Sequence, residues 1–221
     1  MRYFLEILDD KTRARVYRLG NKKRYNNKEV LIQQGEKSNG MQIILSGIVE
    51  SLYENGLGQD LILAVWHTGD FIGGPYVVGN HVQFWSARAL GKVEVLHLDQ
   101  ECLRKCVADS TSFSLALIEC LGYKGERYSK LAQVLATHTT TERLALLLLE
   151  LGKTSGHLDG NTIEIGTIGQ SKLSHMIGAT RQSVSLVLQK LEDNDIIRRT
   201  STSIVILKVD TLAGYAGLDK A

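Results

Sequence analysis

Gly169-Gln-Ser-Lys-Leu-Ser-His-Met-Ile-Gly-Ala-Thr-Arg-Gln-Ser-Val-Ser-Leu-Val-Leu-Gln-Lys-Leu-Glu192 carries two helical periods separated by one glycine. Leu173, Met176 and Ile177 recur on one face of a short first helix, and Gly178 stands where the chain must turn sharply at little steric cost. Thr180 is a good N-cap for a second helix, with Ser183 three residues on. Val184, Leu186 or Val187, Leu188 and Leu191 give that helix an apolar stripe with which to grip the first. Its first turn stays polar, because Arg181, Gln182 and Ser185 are not all needed for packing. This is the pattern of a helix-turn-helix, whose second helix brings its N-terminal residues to base edges in the major groove. Arginine pairs twice with guanine; glutamine does so with adenine or serves a phosphate. An ordinary helical hairpin with a solvated polar face is the alternative for the helix pair alone.

The next segment favours the DNA reader. Ile196-Ile-Arg-Arg-Thr-Ser-Thr-Ser-Ile-Val-Ile-Leu207 reads as two β-branched strands joined by a Ser/Thr turn, which is the wing of a winged helix. The candidate DNA contacts are therefore Arg181, Gln182 and Ser185 at base edges, Thr180 and Ser183 beside them, Gln170, Ser171 and Lys172 at the start of the first helix, and Arg199, with Arg198 next to it, on the wing.

Composition sets the frame. At 221 residues and 43% hydrophobic content the chain has room for two modest domains with their own cores. No apolar run is long enough to cross a bilayer and Met1-Arg-Tyr-Phe-Leu-Glu lacks a signal-peptide core, so a cytoplasmic location with no membrane partner is expected. The formal charge is only +2, so DNA affinity has to come from a local patch, and a dimer doubles its phosphate contacts. Three cysteines, Cys102, Cys106 and Cys120, without a CxxC pair suggest neither a disulfide framework nor a zinc site. No GxSxG elbow, P-loop or HExxH run is present, and an enzyme is not expected.

From about Asn21 to Leu98 short apolar runs alternate with turn signals: Val30-Leu-Ile, Met41-Gln-Ile-Ile-Leu, Ile48-Val-Glu-Ser-Leu-Tyr, Leu61-Ile-Leu-Ala-Val-Trp, Phe84-Trp-Ser-Ala and Val93-Glu-Val-Leu-His-Leu. Gly35-Glu36, Ser46-Gly47, Glu54-Asn-Gly-Leu-Gly58, Thr68-Gly-Asp70 and Gly79-Asn80 punctuate them, as in an all-β roll. Phe113 to Leu135 then reads as one long helix whose apolar positions 113, 117, 120 or 121, 128, 131 and 135 form a coiled-coil-like seam. Gly122 and Gly125 weaken its middle, each costing about 1 kcal/mol relative to alanine. Thr137-His-Thr-Thr-Thr141 reads as a hinge that caps the next helix.

A glycine-punctuated β-roll, a long helix and a winged helix in that order resemble the cyclic-AMP receptor protein / fumarate-nitrate regulator family of bacterial transcription factors. The matching motifs are Leu31-Ile-Gln-Gln-Gly-Glu36, Leu45-Ser-Gly-Ile-Val49, His67-Thr-Gly-Asp-Phe-Ile-Gly73, Ile177-Gly-Ala-Thr-Arg-Gln-Ser-Val184 and Leu191-Glu-Asp-Asn-Asp-Ile-Ile197, so the resemblance spans nearly the whole chain. It implies an α+β fold with an N-terminal jelly-roll, cyclic-nucleotide-binding-like β-roll over 1–109, a dimerisation helix and hinge over 110–138, and a winged helix-turn-helix over 139–221. It also implies a homodimer on double-stranded DNA at a palindromic site, and contact with RNA polymerase.

The effector implied by the resemblance is harder to place. Cyclic-AMP binders carry a glutamate at the position of Gly74, and an Arg-Ser pair that falls here on Gln83 and Phe84. Burying a phosphodiester without a paired donor costs on the order of several kcal/mol, so a small effector other than cyclic AMP is expected. The candidate pocket comprises Gly73, Gly74, Tyr76, Gln83, Phe84, Trp85, Tyr128 and Ser129, although several of these aromatics fit the roll's core equally well. The alternatives are a redox- or haem-responsive regulator, with Cys102, Cys106 or His81 involved, and a ligand-binding module that does not control transcription. The family's oxygen sensors use N-terminal cysteines that this chain lacks, and no metal or cofactor is assigned.

Overall fold

The structure is a computed structural model describing residues 3–56, 60–79, 81–159, 162–166 and 168–217. The turn signals at Leu57-Gly58 and Asn80 lie outside the described residues. Two compact units emerge, Met1–Glu54 with Ile62–Ser129, and Asn55–Leu61 with Lys130–Ala221.

In the first unit, α1 (Phe4–Ile7) and α2 (Asp10–Leu19) precede the roll. Asp9 starts α2 by accepting the Thr12 amide at 2.7 Å, and Val16 is buried. The strands follow as β1 (Asn21–Tyr25), β2 (Val30–Ile32), β3 (Met41–Tyr53), β4 (Leu61–His67), β5 (Phe71–Ile72) and β6 (Ser86–Leu98). Their order is β1-β6-β3-β4, with β2 also on β6 and β5 also on β3. All described pairings are antiparallel, and β3 and β6 run from Met41↔Leu98 to Leu52↔Ser86. The expected turn at Ser46-Gly47 is instead a bulge inside one long strand. Register shifts on both sides of Ser46, and Gly47 adopts φ +94°, with a Cβ there falling 2.4 Å from the Lys92 carbonyl oxygen. A bulge bends a strand without ending it, which a glycine in sequence cannot distinguish from a turn.

Two apolar layers fill this unit. Ile44, Val49, Trp66, Ile72, Ala87, Val93 and Val95 form one cluster, in which the Trp66 indole N–H donates to Ser51 Oγ at 2.8 Å. Met41, Ile43, Phe71, Leu96 and Leu98 form the other, with Phe4 meeting Phe71 and Phe113 edge-on at 5.6 and 5.3 Å between centroids.

Helix α3 (Gln100–Asp109) and the 27-residue α4 (Thr111–Thr137) close the second layer. Phe113, Leu117 and Cys120, expected as the seam between subunits, are buried in the chain's own roll. Among the residues left exposed, Leu115, Ile118, Gly122, Gly125, Ser129, Ala132 and Ala136 recur every three or four positions on the opposite face, and Leu121, the alternative seam position, is exposed as well. Both stripes have helical spacing, and the larger side chains went to the roll because it offers a ready apolar surface.

The second unit holds α5 (Thr140–Ser155), β7 (His157–Asp159), β8 (Thr162–Gly166), α6 (Gln170–Ile177), α7 (Arg181–Asp193), β9 (Ile197–Arg199), β10 (Ser203–Ile206) and α8 (Val209–Tyr215). The threonine hinge caps as expected: Thr139 and Glu142 form a capping box at the start of α5. The four strands make one antiparallel sheet in the order β7-β8-β10-β9. No helix among the described residues is long and apolar enough to cross a membrane.

Phe113 is fully buried between α1 and the roll. Phe113→Ala is expected to destabilise the first unit by about 3–5 kcal/mol, read as a lowered urea midpoint at unchanged slope.

Candidate nucleic-acid interface

The reading head is assembled by burial. Leu173 and Ile177 of α6 and Val184, Leu188 and Leu191 of α7 are buried in one cluster with Leu144, Ala145 and Leu148 of α5. Of the two residues the sequence left open, Val187 packs on that cluster and Leu186 is 67% exposed. Gly178 ends α6 in the left-handed region at φ 62°, where its amide returns to the Ser174 carbonyl. The Arg143 guanidinium reinforces the turn, donating to the carbonyls of Ile177 at 2.7 Å and Gly178 at 3.2 Å. That clamp, from a residue 35 positions upstream of Gly178, carries no local sequence signal.

Thr180 caps α7 by accepting the Ser183 amide at 3.1 Å, and the two hydroxyls share a hydrogen bond at 2.8 Å. Thr180 and Ser183 thus orient the helix start. Arg181 and Gln182 are exposed and Ser185 is half-exposed on the side away from the core. Leu186 stands one turn beyond Gln182 on that face. Its exposure on an otherwise polar face adds an apolar candidate to the residues that the sequence offered there.

At the start of α6, Gly169 is an N-cap without a side-chain bond, leaving first-turn amides uncapped beside exposed Ser171 and half-exposed Gln170 and Lys172. On the wing, Thr200 Oγ1 accepts the amides of Thr202 and Ser203 at 3.2 and 2.9 Å and so fixes the turn. Arg199 departs from expectation. Its guanidinium is paired with Glu192, and its amide donates to the same carboxylate at 3.0 Å, tying the wing to the end of α7. This pair holds the Glu192 carboxyl below its usual range and raises Arg199. The exposed cation on the wing is Arg198.

The candidate effector residues in the first unit are only partly brought together. Gly73 is buried beside β5, and a Cβ on Gly74 would fall 2.0 Å from the Tyr76 ring. Tyr76 stacks on His81 at 4.1 Å, and the His81 ring nitrogen Nε2 bonds the Val78 carbonyl at 2.9 Å. Gln83 is buried, its backbone tied to Gly35 and Glu36. Trp85 and Tyr128 pack on the roll core, Tyr128 edge-on to Trp66 at 6.2 Å. Phe84 is 73% exposed and Ser129 is exposed on α4, so neither contributes to an enclosed pocket in this protomer. The described cavities, of about 490 and 320 Å³, are lined by other residues.

Burial raises all three thiols, Cys120 to about 11, which disfavours the reactive thiolate. Cys102 donates to the Leu19 carbonyl at 3.6 Å and packs beside α2. Among the described residues no group of His, Cys, Asp and Glu is arranged to hold a metal.

Two family models match the chain, a cyclic nucleotide-binding domain over residues 22–110 and a Crp-like helix-turn-helix domain over 142–215. The cAMP-activated global transcriptional regulator CRP of Salmonella typhimurium is 29% identical over 188 residues, covering 83% of this chain and 88% of that protein. A CRP-like cAMP-activated global transcriptional regulator of Mycobacterium tuberculosis is 24% identical over 184 residues, covering 83% and 82%. Among solved structures, the c-di-GMP responsive global regulator CLP of Xanthomonas campestris superposes with a TM-score of 0.79 at 19% identity, over 90% of this chain and 99% of that one. A CooA mutant from Carboxydothermus hydrogenoformans gives 0.71 at 20% identity, over 91% and 89%. With both domains matched in order and these relatives being transcription regulators, the chain belongs to the CRP/FNR family of transcription regulators, with a cyclic-nucleotide-binding-like β-roll and a helix-turn-helix DNA-binding domain.

Proposed function

We propose that this protein is a dimeric regulator that reads a palindromic site in double-stranded DNA under the control of a small effector other than cyclic AMP. The observation that carries the reading is the division of α7 into a fully buried stripe and an exposed first turn bearing Arg181, Gln182 and Ser185. Laid in a major groove, that turn sets the Arg181 fork against guanine and Gln182 against adenine or phosphate, with Leu186 placed for a thymine methyl. Ser171, Gln170, Lys172 and the uncapped start of α6 take one stretch of phosphate backbone, and Arg198 on the wing takes another.

The exposed stripe on α4 supports the dimer. Leu115 and Ile118 are 60% and 66% exposed, and Gly122, Gly125, Ser129, Ala132 and Ala136 continue the same face with small side chains. A second copy related by a two-fold axis covers the stripe with its own equivalent, because an isologous contact is self-complementary. The small residues let the two helices approach closely, and nothing lies within 4 Å of a Cβ built on Gly122 or Gly125 in the single protomer. RNA polymerase is the further partner that the resemblance implies.

The altered cassette supports the choice of effector. Gly74 offers no carboxylate for a ribose hydroxyl, the Tyr76 ring lies over it, and Gln83 brings no cation for a cyclic phosphate. Calorimetry with cyclic AMP is expected to show no micromolar binding; a single saturable site per subunit at that strength overturns this part.

Arg181→Ala is expected to cost about 1–3 kcal/mol at one base pair of the selected site and to relax preference there, whereas Ser171→Ala weakens all sequences alike. Fluorescence anisotropy with site variants separates the two. Ile118→Glu sets a charge opposite its twin and is expected to yield monomers in sedimentation velocity, with DNA affinity falling with dimer content. A dimer that survives the substitution places the interface elsewhere.

A further inference from the structure

Lys124 stands apart from the reading head and from the exposed stripe, on the face of α4 that packs against the roll. Its Nζ lies 3.2 Å from the centroid of the Trp66 ring and 4.7 Å from that of Phe71. The Arg127 guanidinium lies 5.2 Å from the same indole and 5.8 Å from Tyr123, so two cations crowd one ring. Among the described residues no carboxylate forms an ion pair with Lys124. The charged and titratable groups that bear on it are Asp70, in the turn before β5, and Cys120 and Arg127 on α4 itself. Asp70 is held in its turn by the His67 amide, which donates to it at 2.9 Å.

We propose that gain and loss of a proton at Lys124 Nζ, between Trp66 and Phe71, switches how tightly α4 packs on the β-roll. The charged form gains attraction from the ring faces and from Asp70, loses its hydration, and meets Arg127 across a shared indole. The neutral form is relieved of the desolvation and of the repulsion. Burial is the larger effect, with Asp70 and then Cys120 opposing it and Arg127 adding to it, and the amine is pushed down to about 7. The lysine therefore changes charge within the physiological range, where an ordinary lysine does not.

The direction of the linkage follows. Between about pH 7 and the ordinary lysine value near 10.4 the unfolded chain carries the proton and the folded chain does not, so folding stability rises with pH across that window. The stability this group contributes is shed progressively as pH falls from about 10.4 and is gone by about 7, below which both states hold the proton. The neutral amine is the tightly packed form, and α4 loosens on the roll in acid.

The inference concerns the first unit and holds whatever the second unit binds. In a Trp85→Phe background Trp66 is the remaining tryptophan, and its emission reports the site directly. Followed from about pH 5.5 to about 9, its emission is expected to shift with a midpoint near 7 in the parent. The shift disappears in Lys124→Met, which cannot be charged, and in Lys124→Arg, which cannot be discharged. His97, whose ring burial holds below its usual value, stays in every variant as the internal control. A shift that persists in both variants belongs to another group and overturns the proposal, as does a flat profile in the parent. The rise in urea midpoint from neutral to alkaline pH is lost in Lys124→Met as a second reading, and its persistence overturns the proposal too. DNA affinity measured on the same samples separates the two ideas: a Trp66 titration without sequence-specific binding at any pH refutes the regulator reading and leaves the proton switch standing.

Discussion

A helix of 27 residues offers two long faces, and one protomer of this protein buries only one of them. Phe113, Ala116, Leu117 and Cys120 have gone into the roll's own core, leaving Leu115, Ile118 and the small residues after them in solvent. Exposed leucine and isoleucine at helical spacing cost on the order of 1.5–3 kcal/mol each in forgone burial, so the arrangement is stable in water but incomplete. That constraint ties the parts together: the element that seals the roll also carries a second, exposed apolar stripe, and it is this stripe that supports the proposed dimer.

The reading head obeys the same economy on a smaller scale. Leu173 and Ile177 of α6 and Val184, Leu188 and Leu191 of α7 share one buried cluster with α5, and the polar work at the turn is shared by Gly178, Arg143, Thr180 and Ser183. Glu192 and Arg199 then fasten the wing to the far end of α7. With these groups committed to shape, the proposed recognition set narrows to Arg181, Gln182, Ser185 and Leu186 on α7, Gln170, Ser171 and Lys172 on α6, and Arg198 on the wing. Recognition by few side chains requires that they be held rigidly, because each rotamer-rich side chain ordered on binding costs about 0.5–1.5 kcal/mol.

Legibility in the sequence followed the range of the interactions. The helix pair, its cap at Thr180, the capping box at Thr139 and the wing could be read because each is made by neighbours within a few residues. The paired duty of Arg199 could not, since Glu192 lies across a change of element; nor could Arg143, which acts on a distant turn. Strand β1, Asn-Lys-Lys-Arg-Tyr, has no apolar alternation and forms by pairing its backbone with β6 while its side chains stay largely in water. On α4 the expected seam positions 113, 117 and 120 went to the roll while Leu121 stayed exposed, for a physical reason: two stripes on one helix share a period, and periodicity does not say which partner each one meets.

The effector cassette shows where resemblance stops being a guide. Loss of the acid at Gly74 and of the cation at Gln83 was visible in the sequence, but the consequence was not: Tyr76 lies over the vacated backbone, His81 stacks on Tyr76, and His81 bonds Val78 in turn. Gln100 fastens the same segment from outside, its amide donating to the Tyr76 and Gly79 carbonyls at 3.2 and 2.8 Å. Phe84, the side chain that replaces the family's serine, turns into solvent rather than toward the core. Aromatic rings and cations meet instead on the roll-facing side of α4, around Trp66, Lys124, Arg127 and Tyr128, where a change of charge or packing acts on the helix directly.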